Sequence, residues 1–179
     1  MKIIPVLCFL FLFVNNNSVN KGKTIIQNTG SKVTKTQAQE ALDYHNQARK
    51  EVGVQPLEWS EELAKHAQEW ADHLAETTCK MAHRPKDGKF ADNYGENLFS
   101  GNGKEYTALD ASKAWYKEIK DFKNVKLSGS NWSKTGHYSQ MIWSKTTKIG
   151  MGISKCKSGK IIIVANYDPA GNMMGDKAY

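Results

Sequence analysis

The stretch Lys148-Ile149-Gly150-Met151-Gly152-Ile153-Ser154-Lys155-Cys156-Lys157-Ser158-Gly159-Lys160-Ile161-Ile162-Ile163-Val164-Ala165-Asn166-Tyr167 carries the clearest structural signal in the chain. Ile149, Met151 and Ile153 alternate with glycine and serine, the period-2 pattern of a half-buried strand. Lys157-Ser158-Gly159 supplies a turn, and residues 160–167 read as a solidly apolar strand. The two make a hairpin. A hairpin alone is at best marginally stable in water, so other elements must cover its apolar faces.

Working back toward the N-terminus, the cover is helical. Ala38, Ala41, Leu42, His45, Ala48 and Val52 recur at helical spacing behind a capping box expected at Thr36 and Gln39, and Gly53 and Pro56 stop the run. A second helix starts at Ser60, with Glu61 and Glu62 favourable to its dipole and Leu63, Ala67, Trp70, Ala71 and Leu74 on its apolar face. Its other face carries Glu62, His66, Glu69 and His73, a pattern that suits a solvated face or a metal-binding one. Residues 81–103, rich in Gly, Asn, Asp and Lys, read as a long ordered loop with short helical turns. A third helix is expected over 106–122, a polar loop over 123–134, and strand-like or mixed character over 138–143. Helices first and a hairpin last predict an α/β sandwich whose mainly antiparallel sheet is covered by helices.

The 179 residues suit one compact domain, and 40% hydrophobic with 24% charged residues is a globular composition. No fixed-period repeat is visible. Lys2 followed by the apolar run 3–14 and polar Asn15-Asn16-Asn17-Ser18 reads as a signal peptide over 1–18; the run is too short to span a bilayer, and an uncleaved interfacial anchor is the alternative. A polar lead-in over 19–35 then precedes a domain over 36–179. With Cys8 in the signal segment, Cys79 and Cys156 remain, and an oxidising compartment favours their pairing over two free thiols. The formal net charge of +7 fits an encounter with anionic lipid or glycans, or simple solubility, and no nucleic-acid motif accompanies it. Asn131-Trp132-Ser133 is a glycosylation sequon, which places Asn131 at the surface if it is used.

Glu118 is the odd residue. On a 3.6-residue helix Ala111, Trp115, Glu118 and Phe122 fall within about 60° of one another, so a carboxylate sits in an apolar face. Burying it unpaired costs several kcal/mol, so it needs a cationic, hydrogen-bonding or metal partner, or a proton, unless it snorkels to water. His83, just after Cys79, and His137, beside the 138–143 segment, are candidate partners, and Glu96 lies in Tyr94-Gly95-Glu96-Asn97-Leu98.

Together these segments resemble the CAP superfamily, which includes cysteine-rich secretory proteins, insect venom antigen 5 and plant pathogenesis-related protein 1. The matches run in family order: His45-Asn46-Gln47-Ala48-Arg49, Pro56-Leu57-Glu58-Trp59, Gly95-Glu96-Asn97-Leu98, Gly136-His137-Tyr138-Ser139-Gln140-Met141-Ile142-Trp143, and Asn166-Tyr167-Asp168-Pro169-Ala170-Gly171-Asn172. The resemblance implies a three-layer α–β–α sandwich with a cleft lined by His83, Glu96, Glu118 and His137. Two imidazoles and two carboxylates suit a divalent cation, Zn²⁺ among them, which the fold would not require. His45 would be structural, hydrogen-bonded within the core. Plant relatives carry three disulfides; Cys79 and Cys156 resemble the ends of one, while Met151 and Ala165 occupy the positions of a second as an apolar pair. The cysteine-rich C-terminal extension of the secretory branch is not implied, nor is the ion-channel blockade attributed to it.

The function these residues predict is binding rather than turnover. Neither HExxH nor GxSxG is present, and Ser139 beside His137 has no nameable oxyanion donor, which leaves a metal-dependent protease the weakest reading. Family resemblance points to sterol or fatty-acid carriage, the sterol route using the 122–135 loop with Phe122 and Trp132. Lys117, Lys120, Lys123 and Lys126 lead into that loop, as a basic ladder facing an anionic membrane or as a solvated face. The competing reading is an extracellular signalling or defence protein recognised by a receptor.

Overall fold

The computed structural model describes residues 25–179. The signal peptide expected over 1–18 lies outside them. The C-terminal hairpin forms as expected: β3 (Lys148–Lys155) and β4 (Ile161–Asp168) run antiparallel, with Ile149 opposite Tyr167 and Ile153 opposite Ile163. Before them come α1 (Lys35–Glu51), β1 (Glu58–Trp59), α2 (Glu61–Glu76), β2 (Gly95–Gly101), α3 (Ala108–Tyr116) with a 3₁₀ turn over Lys117–Asp121, α4 (Gly129–Trp132) and α5 (Gly136–Met141). The sheet order is β1-β3-β4-β2, parallel only between β1 and β3. On one face Ala67, Trp70, Ala71 and Leu74 of α2 pack on Ile162 and Val164. On the other, residues of α1, α3 and α5 pack on Ile161, Ile163, Ala165 and Tyr167. The result is a three-layer α–β–α sandwich.

Several expectations are corrected. β3 is buried on both sides over residues 149–152, not half-buried. Its glycines face α2 so closely that a Cβ on Gly150 would stand 2.1 Å from Ala64 N, and one on Gly152 2.4 Å from Gln68 N. An absent side chain on a strand here marks a helix backbone seated on it. The 81–103 segment contains β2, an edge strand whose Glu, Asn and Ser hide it from propensity but whose full register with β4 secures it. α1 starts at Lys35, with the Thr34 hydroxyl accepting from Gln37 N, rather than at a Thr36 cap. The lead-in is part of the domain: Ile26 and Val33 are buried, Lys32 N donates to Gln68 Oε1, and Trp59 Nε1 donates to Thr29 O. The third helix ends as a 3₁₀ turn carrying Glu118. The 138–143 segment is the helix α5 and its exit, not a strand.

Two buried polar residues of α1 tie these layers together. His45 Nδ1–H donates to Ala41 O at 2.8 Å, which fixes the tautomer, and Nε2 accepts from the Tyr167 hydroxyl at 2.9 Å. Asn97 Nδ2 donates to that hydroxyl and to His137 O, both at 3.1 Å. Burial pushes the His45 imidazole down to about 4 and the Tyr167 hydroxyl well above its ordinary range. Arg49 is fully buried, and its guanidinium donates to the carbonyls of Gln55, Met141, Trp143 and Thr146. Burial lowers it to about 10, so it stays a cation, placed where the C-terminal carbonyls of α5 present negative charge.

Candidate functional site

The four residues expected to line the cleft are brought together as two His–Glu pairs. His83 Nδ1–H donates to Glu96 Oε1 at 2.7 Å, and the same oxygen accepts from Arg84 N at 3.1 Å. His83 is exposed while the Glu96 carboxylate is only 8% exposed, and Glu96 Oε2 is buried with no hydrogen-bond partner among the described residues. In the second pair His137 Nδ1–H donates to Glu118 Oε1 at 2.6 Å. Glu118 Oε2 accepts the backbone N–H groups of His137 and Tyr138, each at 3.0 Å. The carboxylate therefore caps the start of α5, which answers why a helix face expected to be apolar holds it. Among the described residues, no three His, Cys, Asp or Glu side chains converge closely enough to hold a metal ion.

A cleft of about 570 Å³ opens beside the first pair, with His83, Glu96, Arg84, Trp132, Met173 and Met174 in its wall. Glu118 and His137 do not line it. Trp132 links the two regions: a Cβ on Gly136 would lie 2.9 Å from its indole Nε1, so the ring lies across the start of the helix that carries His137. His137 itself stacks on Trp115, with ring centroids 6.2 Å apart. Phe122, the other aromatic expected to take lipid, turns inward against Tyr138 at 5.1 Å and Tyr179 at 6.3 Å.

On the face of Glu62, His66, Glu69 and His73 the two glutamates are exposed as expected, the two histidines are half-buried, and no metal-holding group forms among the described residues. His66 Nε2 bonds Asp92, and His73 stacks between Trp70 at 4.9 Å and Phe90 at 4.6 Å, so the 80–94 loop folds over both. Arg84 anchors that loop: its guanidinium bonds His66 O and Phe90 O, pairs with Asp92 and lies 5.4 Å over the Trp70 ring. This residue was missed by the sequence reading, although its position next to His83 was a signal. Ser139 is buried, and its hydroxyl donates to Asn172 Oδ1 at 2.6 Å rather than meeting His137. Asn131 is half-buried; its Oδ1 accepts from Ser128 N and its Nδ2 donates to Lys126 O, so the sequon amide shapes the loop around α4.

The profile of the cysteine-rich secretory protein family, CAP, matches residues 42–167. The chain belongs to this family. It is similar to pathogenesis-related protein 1A of Nicotiana tabacum, at 36% identity over 79% of this chain and 80% of that one. Pathogenesis-related protein 1 of Arabidopsis thaliana is also 36% identical, over 79% of this chain and 81% of that one. Among solved structures, NaASP2 with Zn²⁺ superposes with a TM-score of 0.72 at 28% identity, covering 87% of this chain and 90% of that one. The chain is thus a CAP protein of the pathogenesis-related 1 type.

One disulfide of this CAP domain is present, Cys79–Cys156, with Cα atoms 5.9 Å apart. It joins the loop after α2 to the residue following β3, and so ties down the loop in which His83 lies. Met151 and Ala165 are direct partners across β3 and β4 and both are fully buried, so an apolar contact stands where the resemblance places a second bridge. Among the described residues no helix is long and apolar enough to cross a membrane.

Proposed function

We propose that this CAP protein is secreted and non-catalytic and binds a sterol or fatty-acid lipid at the cleft beside His83 and Glu96. The observation that carries this is the cleft's mouth. Trp132, Met173 and Met174, at 38%, 53% and 58% exposure, stand together there although large apolar side chains gain by leaving water. A lipid would lay its apolar body on them and its polar end toward the His83–Glu96 pair. Non-catalytic action is supported by Ser139, whose hydroxyl is committed to Asn172 rather than to His137. The exposed ladder of Lys117, Lys120, Lys123 and Lys126, which has no carboxylate in ion-pair range among the described residues, would face an anionic membrane during transfer. The test is binding of radiolabelled cholesterol and a fatty-acid panel to the secreted protein. Saturable binding that Trp132→Ala weakens at least about tenfold supports the reading, since fully burying such a ring is worth more than the ~1.4 kcal/mol this requires. Binding unchanged in that variant removes the cleft from the account.

The donor chemistry also fits Zn²⁺. In each pair a carboxylate holds Nδ1 and leaves Nε2 as the ligand atom, the usual outer-shell arrangement, and Glu96 Oε2 is without a partner. When bound, the ion would supply positive charge for an anionic lipid end. Because no three such groups converge, binding has to draw the pairs together, and we expect it to be weak. Zinc calorimetry should show heat that His83→Ala abolishes; equal heats in the two proteins would remove the ion. A second reading, a defence or signalling protein recognised by a receptor, is favoured by the pathogenesis-related names of its relatives. Saturable cell binding by lipid-free protein would select it.

A further inference from the structure

The end of the sheet away from the cleft carries a second feature. β2 begins at Gly95 in the cleft wall and ends at Gly101, a seven-residue strand spanning roughly 20 Å at ~3.3 Å per residue. Beyond it lies an open notch of about 750 Å³ between the 102–105 loop and the β3–β4 turn, sharing no residue with the cleft. Lys104 reaches it from the 102–105 loop, and Lys155 and Lys160 from the two sides of the β3–β4 turn. Glycines 103 and 159 leave it uncovered, since a Cβ on either would meet nothing within 4 Å. No apolar side chain lines it.

Its charge is fixed in place. Lys160 Nζ donates to Cys79 O at 3.1 Å, so the disulfide that binds residue 79 to residue 156 also seats this lysine. Lys80 and Lys157, both exposed, each follow one of the two bridged cysteines in the chain. Two acids oppose them: Glu105 pairs with Lys155 at 2.5 Å, and Asp110 with Lys104 at 3.2 Å. The Lys155–Glu105 pair is exposed on both sides and therefore weak, and Lys104 is exposed although Asp110 is half-buried in the α3 capping box, so an incoming anion can draw either lysine from its carboxylate.

We propose that this notch binds a linear anionic polysaccharide, with sulfate or carboxylate groups of successive sugars on Lys104, Lys155 and Lys160. The absence of any apolar side chain from the lining argues against a lipid, whose tails would find only lysine stems and glycine backbone to lie on. The open volume far exceeds a single inorganic anion, and lysines converging from separate segments suit a chain of regularly spaced charges. Attraction of this kind grows with the number of neutralised groups and falls with salt.

The test is affinity of the full secreted chain for a heparin dodecasaccharide and for polygalacturonate, at about 0.1 M salt, where the Debye length is ~10 Å. We expect the double variant Lys104→Gln, Lys155→Gln to bind the better of the two at least about tenfold more weakly, two charge contacts having been lost. The variant Lys120→Gln, Lys123→Gln removes the same charge from the lysine ladder and should change affinity less than about twofold. Should the first variant fold poorly by circular dichroism, Lys104→Gln, Lys160→Gln serves in its place and leaves the Lys155–Glu105 pair intact. Equal losses in notch and ladder variants would reduce the effect to net charge and overturn the proposal. So would inorganic sulfate competing as well as the dodecasaccharide at equal sulfate, phosphatidylserine vesicles binding through the notch lysines in preference to polysaccharide, or no binding to either polymer. The lipid test uses the other end of the sheet, so either result can fail without the other.

Discussion

Acid should weaken this fold through one buried imidazole. His45 is fully buried and neutral, with Nδ1–H on Ala41 O and Nε2 accepting from Tyr167. Protonation would put a second N–H in the core with no carboxylate beside it. Burial is the main reason that its folded value falls to about 4, and the charge of Arg49 adds to it. An unfolded chain would titrate near ~6.5. Between those values the unfolded state binds the proton and the folded state does not, so stability is full above about 6.5 and is lost as pH falls toward 4. A gap of about 2.5 pH units at ~1.4 kcal/mol per unit gives a loss of about 3–4 kcal/mol in full, about 3 of it by pH 4, a sizeable share of the ~5–15 kcal/mol of an ordinary domain.

The assay is urea unfolding across pH 7 to 4 for the natural chain and for His45→Gln. The variant should be less stable at pH 7, because Gln cannot fill the ring's space or reproduce both bonds. Its pH curve should be shallower. Contributions common to both proteins cancel in the difference, so the stability gap should narrow by about 3 kcal/mol toward pH 4. Parallel curves for the two proteins would refute the assignment of His45 as a buried neutral base.

Two further substitutions test the packing directly. Glu118→Ala strips three acceptor contacts from the start of α5 and should cost about 2–3 kcal/mol, seen as a Tm lower by roughly 5–10 °C. A Tm within about 2 °C of the natural chain would show that water replaces the carboxylate. Gly152→Ala drives a Cβ to 2.4–2.6 Å from backbone atoms of Gln68 and Ala67, so α2 must shift as a body. We expect at least about 2 kcal/mol of destabilisation by denaturant melts, against the ~0.5–1 kcal/mol that alanine would otherwise contribute in a strand.

Much of the layered fold was legible because it is written in periodicity. The hairpin, α2 and its Ser60 cap followed from strand alternation, helical spacing and an N-cap residue. What stayed hidden was decided by distant partners. β2 has the composition of a loop and becomes a strand only through its register with β4. α5, six residues long, is shorter than any helix that persists unaided, and its sequence cannot say that Glu118 will cap it. Met173 and Met174 look like ordinary tail residues until the fold places them at the cleft. The pairing of Glu118 with His137 was open to sequence reasoning because a carboxylate on an apolar face demands a partner; the separation of the two His–Glu pairs was not.

The family motifs themselves turn out to be mainly a scaffold for α5. Arg49 from the first motif holds the carbonyls of Met141 and Trp143 at its C-terminal end. Asn97 from the third holds His137 O, and its second bond goes to Tyr167 of the last motif, which His45 of the first accepts in turn. Gln140 Oε1 accepts from Gly171 N, and Ser139 bonds Asn172, which closes the C-terminal segment over the same helix. Each of these contacts joins two motifs far apart in sequence, and each is buried or partly buried, where an unmet polar group costs up to about 1–3 kcal/mol. The motifs therefore specify one geometry: a short helix held at both ends, with His137 at one edge and Trp132 lying across its start. The motifs also supply Glu96, Gln140 and Asn172 to the cleft wall, whereas Trp132, Met173 and Met174 at the cleft and Lys104, Lys155 and Lys160 at the notch lie outside them, and on the readings proposed above ligand choice would rest on these. Membership of the family follows from the scaffold, and the chain's own binding chemistry has to be sought in those exposed residues.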